Sequence, residues 1–231
     1  MSFQNPFARK PSIPSVLASP KFPAEWPYTP ADFAVEDSTP DSNFYSFPRF
    51  VHHIDEPARA ALTKRYAEVL LPEHRVLDLC SSWVSHYPPE WSSSRVGGRV
   101  VGVGMNEEEL RGNAQLDEFV VKDLNAETVL PFGDGEFDVV TIVVSVDYLT
   151  RPRSLFAEIG RVLAPGGRAV ISMSNRCFPS KAFRIWLRTS DAEHVFIVGS
   201  FFHYAVDAEG EGVFEKPEAR DLGGGGGGDP M

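Results

Sequence analysis

The chain has little cysteine, no cluster of positive charge and no long apolar run. Its two cysteines, Cys80 and Cys177, cannot build a disulfide framework and do not have metal-ligand spacing. A reducing compartment is therefore expected, with the cytoplasm as the simplest case. Lys and Arg number 22 against 32 Asp and Glu, giving a formal net charge of −10. The nearest basic groups, Arg151/Arg153 and Lys181/Arg184/Arg188, are dispersed at helical spacing, whereas a groove for a nucleic-acid backbone needs clustered cations. Around Val139–Val146 the most apolar stretch is too short and too polar-flanked to cross a bilayer. The expected partners thus include neither nucleic acid nor membrane. No basic stretch followed by an apolar block opens the sequence as a secretory signal would. Residues 1–24 have the acid-poor, serine-containing character of a transit peptide, but eight prolines within the first 40 oppose the amphipathic helix such peptides form.

Hydrophobic residues make up 42% and charged residues 23%, the balance of a globular chain. Residues 1–40, rich in proline and interleaved with aromatics, are expected as an extended tail lying partly against the body. Residues 41–222 are expected to form one domain, and 223–231 a flexible glycine-rich tail. Within the domain the pattern alternates. Asp55-Glu56-Pro57 starts a helix carrying Ala58, Leu62, Tyr66 and Val69 on one face, and Pro72 stops it. Strands are expected near 75–79, 100–104, 118–122, 137–146 and 168–174. The fourth is nearly continuously apolar and β-branched, as a central parallel strand buried on both faces must be. Asn106-Glu107-Glu108-Glu109 opens a short helix with an acidic first turn. Leu155, Phe156, Ile159, Val162 and Leu163 line a helix ending at Pro165-Gly166-Gly167. Residues 194–202 have strand composition, but Ser190-Asp191-Ala192-Glu193 has capping-box spacing, so a helix is expected with Ala192, Val195, Val198/Gly199, Phe202 and Ala205 on its inner face. Strand–helix alternation with short connections predicts an α/β, doubly wound, mainly parallel Rossmann-like sheet, with ligands beyond the carboxyl ends of the strands.

Those ends carry Asp78, Cys80, Ser81 and Ser82, then Gly104, Asp123, Ser145 and Asp147, and finally Ser174, Asn175 and Cys177. A single aspartate there often only caps a turn, but several on one rim indicate a site. "RVLDL" at 75–79, "VVGVGMNEEEL" at 100–110, "KDLNAETVLPFGDGEFDVV" at 122–140 and "FAEIGRVLAPGGRAVISMSN" at 156–175 resemble the type-11-like class I methyltransferases. The strings at 44–55, 78–88 and 174–178 further resemble a little-characterised plant, fungal and algal subgroup. The resemblance implies S-adenosylmethionine as cofactor, a small-molecule or protein methyl acceptor, and a cofactor pocket of Asp78, Cys80, Ser82, Gly104, Asp123 and Ser145. It also implies that residues 44–53 close that pocket, with Tyr45 as an apolar wall, Arg49 for a carboxylate and His52 nearby. His52, His53, His86 and Asp147 are the candidates for proton removal.

The departures are specific. Cys80, Ser82 and Val84 stand where the superfamily loop D-L-G-x-G-x-G has glycines, and Gly104 stands where an acid would hold the ribose hydroxyls. Valine resists positive φ, so a weakened cofactor grip is expected. Glycine at Val84 and an acid at Gly104 are expected to restore it. The antiparallel pair that ends the superfamily sheet is scarcely provided by residues 206–231, so an incomplete C-terminal edge is expected. Two rival functions stand beside the enzyme. One is an inactive methyltransferase fold used as a scaffold. The other is a nicotinamide-dinucleotide enzyme built on Gly102-Val103-Gly104 with Asp123 about twenty residues on, though Glu107 would then oppose a pyrophosphate. Cys80 is read as following the first strand at a helix N-terminus, where thiol pKa falls, but more simply as a small residue in a glycine's place. His52-His53-Ile54-Asp55 is read as a helix entry rather than a metal site.

Overall fold

A computed structural model describes residues 12–94 and 96–223, so residues 224–231 of the expected glycine tail lie outside the described residues. Its helices are α1 (Ile13–Val16), α2 (Asp41–Phe44), α3 (Glu56–Val69), α4 (Pro89–Ser94), α5 (Glu107–Gly112), α6 (Pro152–Val162) and α7 (Asp191–His203). The strands are β1 (Val76–Leu79), β2 (Val100–Gly104), β3 (Glu118–Val121), β4 (Phe137–Val143) and β5 (Leu163–Ser172). They form one parallel sheet in the order β3-β2-β1-β4-β5. Each strand of a parallel sheet needs a crossover, and the helices between strands cover both faces.

Alternation along the strands assigns the two cores. Leu77, Leu79, Val101, Val103, Val140 and Ile142 face Phe156 and Ile159 of α6 and Val198 and Phe201 of α7. Val76, Val100 and Val139 face Leu62, Tyr66 and Val69 of α3 with Tyr87 and Trp91. Helix α3 starts as its sequence dictates: Asp55 accepts the Ala58 N–H at 3.0 Å, with Pro57 in the first turn. At α7, Glu193 accepts the Ser190 N–H at 2.7 Å, so the segment with strand composition is a helix. Its buried face differs from the expectation: Phe201 is fully buried and Phe202 only partly, because α7 is covered on a second side by the N-terminal segment. Leu17 and Phe33 are buried there, and Leu17 comes so close to Gly199 that a Cβ would meet its Cδ2 at 2.6 Å. Trp26 and Tyr28 pack around the same helix. Residues 12–40 therefore roof the α7 side of the core.

Two boundaries shift from the sequence expectation. β4 stops at Val143, because Val144 takes φ +40° and turns the chain into a 3-10 turn over Val146–Tyr148. β5 begins at Leu163, with a register break opposite Phe137 and Val139 that accommodates the Gly166 turn at φ +80°. Beyond α7 the described chain contributes only an isolated antiparallel bridge, Val206 to Gly212, so the sheet has no antiparallel edge strand among the described residues. No described helix is long and apolar enough to cross a membrane.

Candidate cofactor and substrate pocket

The strand order reverses between β1 and β4, and a cavity of about 280 Å³ opens over their carboxyl ends. This is where open α/β sheets place ligands. The nine residues singled out from the sequence, Asp78, Cys80, Ser82, Gly104, Asp123, Ser145, Tyr45, Arg49 and His52, all border it. So do His53 and His86, whereas Asp147 lies outside the lining and is buried.

The loop after β1 keeps its shape without the three glycines. Asp78, 2% exposed, accepts hydrogen bonds from Ser81 Oγ at 2.7 Å, Ser85 Oγ at 2.6 Å and Thr141 Oγ1 at 3.0 Å. Asn113 Nδ2 donates to Ser82 O and Ser85 Oγ, both at 2.9 Å, and the Ser81 N–H continues the sheet pairing onto Val103 O. Burial raises the Asp78 pKa to about 6 against the lowering effect of the three hydroxyls. The carboxylate of Asp78 thus holds the loop to β4 while bordering the cavity. Of the three glycine-replacing residues only Cys80 takes positive φ, +54°; Val84 does not, so its β-branch carries no such strain. No helix starts at Cys80, since α4 begins only at Pro89, and burial pushes its thiol up to about 12. The activated-thiol reading is corrected accordingly.

Gly104 has a different role from an absent acid. A Cβ there would lie 2.1 Å from Ser81 O and 3.1 Å from Leu110 Cδ2. The loop backbone crosses the end of β2 through the space a side chain would need. Gly102 is likewise inside β2, with Leu116 Cδ1 2.5 Å from its missing Cβ. These glycines serve close packing within a strand and not a phosphate-binding turn, which removes the basis of the dinucleotide reading.

Asp123 Oδ1 accepts the N–H groups of Asn125 and Ala126 at 2.8 and 3.1 Å, and Oδ2 has no partner among the described residues. It both caps a turn and presents an open oxygen at the cavity. Asn125 is fixed by Tyr148 O and Asp41 on one side and Thr150 on the other. Tyr45, Arg49, Val51, His52 and His53 of the segment 44–53 border the same cavity. Arg49 is partly committed: its guanidinium lies 4.5 Å from the Phe44 ring centroid and donates to Phe44 O. His52 and His53 diverge, the first against Trp83 at 4.7 Å and the second edge-on to Phe178 at 5.5 Å. His86 takes φ +61° and is held by Thr63 Oγ1 on its carbonyl. Burial first, then His52 and Arg59, lower its pKa to about 4, so its imidazole is neutral at physiological pH.

The sequence did not single out Glu109 as a site residue. Its carboxylate borders the cavity, 8% exposed, and accepts Arg49 N–H and Ser82 Oγ–H, both at 2.6 Å. Three consecutive glutamates suit a helix start equally well, and nothing in the run shows that the third turns inward.

Residues 85–171 match a family described as a methyltransferase domain. Demethylmenaquinone methyltransferase of Lactococcus lactis is 36% identical over 148 residues, covering 56% of this chain and 54% of the relative. The Clavibacter sepedonicus protein of the same name is 38% identical over 120 residues, covering 51% and 47%. The chain thus spans about half the length of these curated relatives. A SAM-dependent methyltransferase structure from Aquifex aeolicus is 17% identical, covering 66% of this chain and 80% of its own, at a TM-score of 0.45. The match to a methyltransferase domain thus covers residues 85–171, from the loop after β1 into β5.

Proposed function

We propose that the protein transfers a methyl group from S-adenosylmethionine to a small-molecule acceptor. The observation that carries this reading is the hydroxyl-stapled loop: Ser81, Ser85 and Thr141 on Asp78 keep a cavity over β1, β2 and β4 where glycines do so in the superfamily. The residues present fit the cofactor. Asp123 offers an unpartnered carboxylate oxygen for an amino group, and Val103, Met105, Leu124 and Leu149 offer apolar wall for a ring. The bound sulfonium would supply the activated methyl group. The chain's task is to hold acceptor and methyl in line and exclude water. His86, neutral and at the cavity wall, can accept a hydrogen bond from an acceptor hydroxyl or amine and orient it, while its lowered pKa makes it a weak proton acceptor. A small acceptor is supported by the relatives, which are named for methyl transfer to demethylmenaquinone.

The test is calorimetry with S-adenosylmethionine, followed by labelled methyl transfer into pools of metabolite and protein extracts. Measurable binding, weakened in Asp123→Ala, with label in the low-molecular-weight fraction is the expected result. Absence of binding at millimolar cofactor by folded protein would support the scaffold reading instead, and transfer only to RNA or DNA would contradict the charge argument.

A further inference from the structure

Four carboxylates border the cavity: Asp41, Asp78, Glu109 and Asp123. Three are committed elsewhere in whole or in part. Asp78 accepts three hydroxyls, two on Oδ2 and one on Oδ1. Asp41 is paired with the buried Lys181 at 3.1 Å and accepts from Asn125 Nδ2 at 2.9 Å. Asp123 holds its own turn through Oδ1 and has one oxygen left. Glu109 differs from Asp41 in having no ion pair among the described residues, and from Asp78 and Asp123 in having its two oxygens equally engaged. Each of its oxygens accepts a single hydrogen bond, Oε1 from the Arg49 N–H and Oε2 from Ser82 Oγ. An ionised carboxylate has about four acceptor sites, so one lone pair on each oxygen remains. The two existing bonds fix its orientation, one from the 44–53 segment and one from the β1 loop.

A rigid carboxylate with one free site on each of two adjacent oxygens matches a pair of vicinal hydroxyl donors. No side chain at position 104 can meet such a diol, because the Gly104 Cβ position is occupied by Ser81 O. We infer that Glu109 is the diol-binding residue of the pocket and accepts the ribose hydroxyls of the adenosyl group. Ser82 is its companion: its Oγ donates to Glu109 and keeps lone pairs for the same hydroxyls. The 44–53 segment is bonded to the same carboxylate, so ribose recognition and closure of that wall share one group. The assignment rests on the adenosyl-cofactor reading above and specifies it.

The experiment uses the full chain, wild type and Glu109→Gln, titrated with S-adenosylhomocysteine, 5′-methylthioadenosine and 2′,3′-dideoxyadenosine. Glutamine keeps the length and one acceptor oxygen, and thermal unfolding checks that the variant folds. The first two ligands carry the diol, and the third lacks it. The expected result is weakening of the first two by a similar factor, roughly ten- to hundredfold for a lost charged hydrogen bond, with dideoxyadenosine unaffected. Ser82→Ala, which keeps the carboxylate, should lose less than Glu109→Gln. Weakening of S-adenosylhomocysteine alone would mean that Glu109 meets the ligand's ammonium group, and overturns the assignment. Equal weakening of all three would make Glu109 a structural support only, and no weakening would exclude it; both also overturn it. If wild-type protein binds none of the three, the adenosyl-cofactor reading itself falls and the assignment with it, a result distinct from binding that ignores Glu109.

Discussion

Replacing Asp147 should make the protein more stable at neutral pH and leave it nearly unchanged in mild acid. Asp147 is 3% exposed, and its Oδ2 has no hydrogen-bond partner. Burial lifts its pKa from 3.8 to about 7, opposed only by a bond to its own backbone. The folded state therefore prefers the neutral acid. Below about pH 4 the group is protonated in folded and unfolded chains alike and costs nothing. As pH rises from about 4 to about 7 the unfolded chain ionises and the folded one resists, so stability falls. At roughly 1.4 kcal/mol per pH unit, a pKa raised from 3.8 to about 7 corresponds to about 4 kcal/mol at most. Asp147→Asn removes the charge and keeps the shape. Urea unfolding of both proteins from about pH 4.5 to about pH 8.5 isolates the effect, because other groups, Asp78 included, cancel in the difference. The stability difference should grow in favour of the variant and flatten above about pH 7. A constant difference across that range, or one favouring wild type at high pH, would refute the reasoning.

Ser85→Ala should lower stability by about 1.5–3 kcal/mol, the worth of a hydrogen bond to a charged group, and Ser81→Ala by a similar amount; denaturant midpoints at neutral pH measure both. Gly104→Asp should destabilise the protein and not tighten cofactor binding, since its Cβ would meet Ser81 O; this reverses the sequence-based expectation that an acid at this position restores grip. Val84→Gly should likewise bring no tightening, because Val84 is not at positive φ, and should cost about 0.5–1 kcal/mol in backbone entropy. Cys80, with its thiol raised to about 12, should react with a disulfide reagent far more slowly at pH 8 than the unfolded chain does, which absorbance reports directly.

Much of the fold was legible because its signals are local. Apolar β-branched runs, the Asp55 cap and the Ser190–Glu193 box each depend on residues a few positions apart, and α3 and α7 start where those signals lie. The parallel sheet expected from strand–helix alternation is the one observed. Boundaries were less legible. Val144 belongs to an apolar run by composition, yet the chain leaves the strand there at positive φ, a conformation its side chain opposes and only its surroundings impose.

The site divides along the same line. The sequence by itself determined which residues reach the carboxyl rim, since strand ends are set by local pattern; Tyr45, Arg49 and His52 came from resemblance, and all nine border one cavity. It could not determine what they do there. Loss of the loop glycines read as loss of grip, because the compensating bonds join Asp78 to Thr141, 63 positions away, and Ser82 to Glu109, 27 positions away. Gly104 read as a missing acid, and tertiary packing shows a close crossing of two backbones. Glu109 read as one of three equivalent charges, and only the contact with Arg49 and Ser82 sets it apart. Hydrogen-bond partners and excluded volume are properties of space, not of sequence spacing, and the roles of Asp78, Gly104, Glu109 and Asp147 were decided there.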